Sequence, residues 1–522
     1  SFTWSAHRRR EEGYATRSSV SWPMVSLRIK SRSLLYTGRY QHIFSPGLIN
    51  ELTIGQNDHR CIDRVDPDQY ARIRRDAVGF GAAQFYPVAN PDNLVPDAQF
   101  GGVVNAATIA FSSRWPLING RKVFNFADNL TKIVSAHTLK VGVLVERLWI
   151  ENGPALGGSS DFNGTLDFGR NVNNPLDTGY AYSNAVLGVF NSYRETNKSI
   201  SSQLLGFSTE WFAQDNWKVN RRLTLDYGMR FYWFPPYTAE RDELSGFVLG
   251  RWDPAKQVQL IGPAMVGGKR VGINPVNGAV FSTAAIGAIA PGAGDPANGM
   301  VVAANEKNYP RSLATTRVQF APRFGFAFDP FADGKSAIRG GFGLYYNRLP
   351  SGTGYDSMAE QFPIVSTTVI NFDTLATYRS ATGLAYPQSV QGFVRRLEVP
   401  VSMNANLSYQ RNVGFGTVVD IGYIGTYGRH QMWRRNLNPV PTGANFDPKN
   451  ADPTNPRVPL PSDFLRPTRG YSDIHLLETA SSSNYHSLQV SVDRRFARNL
   501  QFGANWTWSK ALDFNDSDTG NV

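Results

Sequence analysis

Seven histidines are the first place to look for chemistry in this chain of 522 residues: His7, His42, His59, His137, His430, His475 and His486. None stands at metal-ligand spacing from another histidine, from Cys61 or from a carboxylate cluster, so a zinc site is not expected. A single cysteine also excludes a disulfide framework and a cysteine-ligated cluster within one chain. Gly340-Gly341-Phe342-Gly343 has the composition of a phosphate loop, but such a cradle needs a helix to begin after the glycines. Leu344-Tyr345-Tyr346 instead continues an alternating strand, and the glycines read as small residues in a crowded sheet. Glu240, Asp242 and Glu243 offer carboxylates, yet nothing opposes them as a glycosidase pair requires. No Gly-x-Ser-x-Gly elbow is present. The expectation is a protein that is not an enzyme, with no cofactor and no metal. The charged residues that carry a pattern are Arg230, Arg323 and Arg339, with Asp226 and Asp329 close in sequence.

That pattern belongs to β-strands. Leu223, Leu225, Tyr227, Met229, Phe231 and Trp233 alternate with Thr224, Asp226, Gly228, Arg230 and Tyr232. Val401, Met403, Ala405, Leu407 and Tyr409 alternate with Ser402, Asn404, Asn406, Ser408 and Gln410. Successive strand side chains point to opposite faces, so each segment has an apolar and a polar wall. Val318 to Phe328, Leu488 to Val492 and Phe502 to Trp508 behave alike, and a helix would need three- and four-residue spacing. Pro322 is awkward mid-strand because proline cannot donate to a ladder, and a bulge is expected there.

The links between strands alternate in length. Tight polar turns are expected at Ser45-Pro46-Gly47, Ser135-Ala136-His137, Asn220-Arg221-Arg222, Pro330 to Lys335, Asn412 to Gly416 and Ala497-Arg498-Asn499. Between them lie long irregular stretches, about 58–122, 151–200, 234–315, 347–400 and 428–483. Outer-membrane barrels have this asymmetry, with short periplasmic turns and long outer loops. The expected fold is therefore all-β: an antiparallel transmembrane β-barrel, partial at about twelve or thirteen strands of roughly ten residues, and not necessarily closed. Tyr180 to Phe190 reads as a short helix within one loop, and Gly278 to Pro291 as a loop too short to cross a membrane. Trp211, Trp217, Tyr232, Trp233, Tyr345, Tyr346, Tyr423, Tyr427, Trp433, Trp506 and Trp508 fall mostly near strand ends, where a membrane–water interface favours them.

In such a wall Arg230, Arg323 and Arg339 face a polar lumen, paired with Asp226, Asp329 and similar acids or touching a plug or an anionic substrate. The balance of 53 Lys+Arg against 42 Asp+Glu leaves +11, but the charges are scattered over turns and loops, so nucleic acid is not an expected partner. Arg221, Arg222 and loop arginines suit outer-membrane lipid and lipopolysaccharide phosphates instead. Hydrophobic residues make up 41% and charged residues only 18%, enough apolar material to exclude a disordered polyelectrolyte.

Several stretches resemble the Oar-like TonB-dependent receptors, which carry a carboxypeptidase-regulatory-like N-terminal domain. They are Tyr40 to Glu51, Asp128-Asn129-Leu130-Thr131, His137 to Gly142, Gln214 to Val219, Leu223 to Arg230, Phe320 to Gly325, Ile338 to Tyr346, Tyr485 to Val490 and Trp506 to Lys510. Each is soft alone, but they are collinear from about residue 35 to 512. The resemblance implies an outer-membrane receptor that captures a large substrate with its long loops and passes it through a plugged lumen, energised by TonB. Its plug, its TonB-contacting segment and its last strands have no counterpart here. The chain thus reads as a fragment: residues 1–34 unplaced, with His7-Arg8-Arg9-Arg10-Glu11-Glu12 a solvated edge, 35–512 the barrel region, and 513–522 a truncated tail. The rival readings are a passive porin or surface adhesin on a similar barrel, and a soluble carbohydrate-binding propeller or sandwich.

Overall fold

The computed structural model describes residues 1–16, 21–22, 26–109, 117–153, 161–241, 243–307, 309–350, 354–497 and 499–514. Fifteen strands hydrogen-bond into one sheet, two of them short (Thr238–Ala239 and Gln388–Phe393). The other thirteen are β1 (Phe2–Thr16), β2 (Ser26–Ser45), β3 (Leu48–Val65), β4 (Leu117–Val134), β5 (His137–Asn152), β6 (Ser202–Lys218) and β7 (Leu223–Trp233). They continue as β8 (Gln319–Phe328), β9 (Ser336–Tyr346), β10 (Val401–Gly414), β11 (Thr417–Asn436), β12 (Tyr471–Ala497) and β13 (Leu500–Asp513). Their order in the sheet is their order in the chain, and every neighbouring pair is antiparallel. β1 pairs with β2 and β13 with β12, so among the described residues the sheet keeps two edges and does not close.

The register turns the alternation into two continuous walls. Leu225, Phe326, Gly340, Leu407, Tyr423, Leu488 and Trp508 stand directly opposite one another across seven strands. One residue along, on the other wall, stand Thr224, Ala327, Arg339, Ser408, Gly422, Gln489 and Thr507. The apolar wall is bare: Phe324 is 47% exposed, Leu407 53%, Phe320 58% and Trp508 70%. Burying a side chain of this size is worth about 1.5–3 kcal/mol, so a row left open in water would be a large loss. Among the described residues no second layer covers it, as a sandwich would require. Gly340 sits in this row because a Cβ there would lie 2.4 Å from the Phe326 ring, which accounts for the glycine-rich motif without a phosphate.

The expected turns join β2–β3, β4–β5, β6–β7, β8–β9, β10–β11 and β12–β13. In the last of these Arg498 lies outside the described residues, while Ala497 and Leu500 pair across it. The first and last long links are shorter than expected, because β3 runs on to Val65, β4 starts at Leu117, β11 reaches Asn436 and β12 starts at Tyr471, while the other three fall close to their expected bounds. Beyond the apolar wall both faces meet polar surroundings, so ladders persist where alternation has ended. The same cause hides β1: Arg8 to Glu12 form a regular ladder with Leu34 to Lys30, extending the sheet well before residue 35. Pro322 makes no bulge. It pairs in register with Met229, and the ladder with β9 stops one residue away, at Arg323 and Gly343.

The links fold together at one end of the sheet. Strands Thr108–Ile109, Asp97–Gln99, Thr165–Asp167, Val189–Thr196 and Thr367–Thr374, with Ser21–Trp22, form a second sheet drawn from four links. Its core holds Leu166, Phe168, Phe190, Tyr193, Ile370 and Tyr378. The expected helix is present as Ala181–Leu187, ended by Gly188 at φ 71°. Gly278 to Pro291 is largely loop, with Ala285, Ala288 and Ala290 packed around Ile261.

Candidate functional site: a polar cleft and a charged wall

Glu195 is fully buried on the strand Val189–Thr196 and is the hub that ties two links together. It accepts the N–H groups of Phe85 (2.9 Å) and Tyr86 (2.7 Å) and the hydroxyl of Tyr193 (2.6 Å). Burial, reinforced by this carboxylate, pushes the Tyr193 phenol well above its ordinary value. Arg75, also buried, donates to the carbonyls of Leu94 (2.9 Å) and Asn163 (3.4 Å). A buried charge is tolerated only when its polar atoms are met in this way.

Beside this hub lies a cleft of about 360 Å³. The β5–β6 link contributes Asp161, Arg194 and Thr196, and the β9–β10 link contributes Glu360, Gln361 and Gln391 among others. Val365 and Pro387 are its apolar lining residues. Arg194 pairs with Asp161 at 3.3 Å. Gln361 fixes the β9–β10 wall and ties it to the β7–β8 link, donating to the carbonyls of Ser245 (2.6 Å) and Gln391 (3.0 Å) and accepting the Gln391 N–H (2.7 Å). Among the described residues, the Thr196 hydroxyl and the Gln391 side-chain carbonyl are buried without a hydrogen-bond partner. Such groups have a full donor or acceptor to offer an incoming molecule. Hydroxyls, amides, carboxylates and one guanidinium suit a ligand rich in hydrogen-bonding groups. No group of three metal-ligating side chains occurs among the described residues.

The wall residues expected from sequence fall into three situations. Arg230 pairs with Glu210 of β6 (Nε to Oε2, 2.7 Å) and not with Asp226. Four residues apart on the same strand, Asp226 and Arg230 stand in different cross-strand rows, and Phe212, directly opposite Arg230, carries its guanidinium over the ring at 5.2 Å. Arg323 donates to the Tyr232 hydroxyl at 2.8 Å and stacks on Tyr345 at 4.5 Å. Arg230 also lies 5.5 Å from the Tyr232 ring, so these two arginines meet around one tyrosine. Arg339 is further down the wall, donating to Gln410 at 3.1 Å, and Asp226 accepts from Asn216 at 3.3 Å. Asp329 is not a wall residue. β8 ends at Phe328, and Asp329 caps the following turn by accepting the N–H groups of Phe331, Ala332 and Gly334. Those bonds, Gly334 foremost, hold its carboxyl below the usual range.

Two of the expected interface aromatics also differ. Tyr232 is buried on the polar wall against Phe234, Ala321 and Val399, and Trp433 donates to Glu478 at 2.9 Å beyond the apolar wall.

A family model for the outer membrane beta barrel domain matches residues 2–522. The chain belongs to the outer-membrane β-barrel family. The bare apolar wall and the hydrogen-bonded polar wall are then the two sides of a barrel sheet, and the protein resides in the outer membrane. Solved structures are similar to different degrees. The outer membrane transporter YddB from Escherichia coli matches at 10% identity with a TM-score of 0.50, over 98% of this chain and 46% of that one. The ferric yersiniabactin uptake receptor FyuA from Yersinia pestis matches at 9% identity with a TM-score of 0.37, over 99% and 50%. The barrel chain thus spans about half the length of these structures. No curated protein matches its sequence.

Proposed function

We propose that this chain is the larger part of the wall and loop cap of an Oar-like, TonB-dependent outer-membrane receptor. In this reading the apolar wall meets lipid and the polar wall lines a lumen closed by a plug that lies outside this sequence. The long links capture a large polar substrate, and the cleft around Thr196, Gln361 and Gln391 is the first binding surface. Arg230, Arg323, Arg339 and Asp226 line the path below, available to the plug or to an anionic part of the substrate. Movement inward follows displacement of the plug, drawn by TonB.

The observation that carries the reading is the thirteen-strand sheet with one bare aromatic wall and all its long links at one end. Loops do the recognising because the wall itself is committed to lipid and to the ladder. The test is conductance of the full-length protein in planar bilayers, before and after removal of its plug. The reading expects a closed pore that opens to a steady current only without the plug. A steady current through the intact protein would make it a passive porin, and solubility without detergent would make it a secreted β-protein.

A further inference from the structure

Following the apolar wall toward the links, its character changes abruptly on β1 to β6. On β2 the residues of this wall run Phe44, His42, Tyr40, Gly38, Tyr36 and Leu34 from the turn upward. At about 3.3 Å per residue on a tilted strand, that stretch matches an apolar band about 25 Å tall. The next residue on the same wall is Arg32. In the register it faces Arg10 on one side and Arg60 on the other. One row below, Lys122 stands opposite Trp149, and Arg147 follows on the same strand. The Trp149 ring is held between two cations, Arg147 at 4.8 Å and Lys122 at 5.6 Å. A hollow of about 260 Å³ opens here, with Arg32, Arg60, Lys122 and Trp149 in its lining.

Two of the five cations have carboxylate partners, Arg32 with Asp58 at 3.3 Å and Arg60 with Glu151 at 3.5 Å. Both pairs are long and exposed, and such pairs contribute little. Arg10, Lys122 and Arg147 have no carboxylate partner among the described residues. Cations are densest in this sector, although Arg429 on β11 and Lys510 on β13 also stand on this wall toward the links. Toward the links, β7 to β10 carry Trp233, Phe320, Leu344 and Met403 on the same wall.

We propose that this hollow and its surroundings bind the phosphate of an outer-leaflet lipid headgroup, with Trp149 fixing its depth, Arg32, Arg60 and Lys122 supplying charge within the hollow against Asp58, Glu151 and Glu240, and Arg10 and Arg147 adding charge beside it. The assignment rests on the apolar wall meeting lipid. Several things fit it together: cations gather over three rows at the upper edge of the apolar band, those of Tyr36, Leu34 and Arg32, an interfacial tryptophan sits among them, and the hollow opens on the lipid side of the sheet. It moves the phosphate contacts away from Arg221 and Arg222, which lie in a turn at the opposite end of the strands.

The experiment uses the full-length protein in phosphatidylcholine nanodiscs doped with a fluorescent bisphosphorylated lipid A or its dephosphorylated form. The wild type is expected to prefer the phosphorylated lipid. The combined change Arg10→Gln, Lys122→Gln and Arg147→Gln is expected to weaken that preference on the order of a hundredfold, and Lys140→Gln on the polar wall to leave it intact. Equal binding of the two lipids, or an unchanged preference in the triple variant, would overturn the site. So would displacement of the lipid by inorganic phosphate at the lipid's own effective concentration, which would mark a free-phosphate site. Heat-dependent gel mobility of each variant reports barrel integrity separately, so failure of the site is distinguishable from failure of the membrane reading.

Discussion

Arg230 meets Glu210 across the β6–β7 ladder, bypassing Asp226 in its own strand. The pair is largely enclosed, with side chains 22% and 14% exposed, and the guanidinium is flanked by Phe212 and Tyr232. Arg230→Gln leaves the Glu210 carboxylate without its partner, and should lower the stability of the detergent-solubilised protein by about 2 kcal/mol in denaturant titrations. Adding Glu210→Gln should recover part of that loss. If the double variant were as weak as the sum of the singles, the two residues would not be coupled.

Gly392 gives the cap a sharper test. It lies in the strand Gln388–Phe393, and a Cβ there would sit 2.0 Å from the Phe247 carbonyl oxygen. Backbone cannot yield as a side chain does, so Gly392→Ala should force two links apart. The expected outcome is faster proteolysis of the links with heat-dependent mobility of the barrel unchanged.

Asp356 joins the β9–β10 link to the ends of β5 and β6, accepting from Asn152 at 2.7 Å and Ser202 at 2.9 Å. Burial pushes its carboxyl above the usual range, against those two bonds. A raised folded value means that stability is lost as pH rises from the ordinary carboxylate range through that value. Asp356→Asn keeps the acceptor and carries no charge. It should match or exceed the wild type at neutral pH, and the difference should vanish in acid, measured by thermal unfolding across pH.

Asp329 has the opposite sign. Its carboxyl is held low by the turn N–H groups, so its contribution is present above the ordinary carboxylate range and lost as pH falls through the lowered value. Asp329→Ala should speed hydrogen exchange at Ala332 and Gly334 several-fold at neutral pH. Acidification should lower the protection factors of these amides in the wild type, once the intrinsic pH dependence of exchange is divided out, and leave those of the variant unmoved.

What the sequence reveals here depends on where an element sits relative to lipid. Leu223 to Trp233 and Val401 to Tyr409 alternate because one face must be apolar and the other polar, and their strands and register follow directly. The six tight turns are legible for a similar reason, since little else ends an antiparallel pair so quickly. Past the apolar band that demand disappears. Arg8 to Glu12 are as good a ladder as any, yet five charged residues in a row carry no alternation. The cleft is less legible still. Thr196, Gln361 and Gln391 come from two links, and Gln361 and Gln391 are joined by hydrogen bonds to backbone, which impose no spacing on the sequence. Glu195 looks like one acid among many until its ring of N–H donors is seen.

Everything functional depends on the two walls meeting different solvents, and neighbouring residues of one strand report this most directly. Leu407 and Asn406 lie on opposite walls of β10. With Cys61→Ser as background, single cysteines at each position carry a spin label in the full-length protein in outer-membrane vesicles, and collisions with oxygen and with a water-soluble nickel chelate are compared. The account predicts that position 407 favours oxygen and position 406 the chelate. Equal access at both positions, or the reverse order, would contradict it.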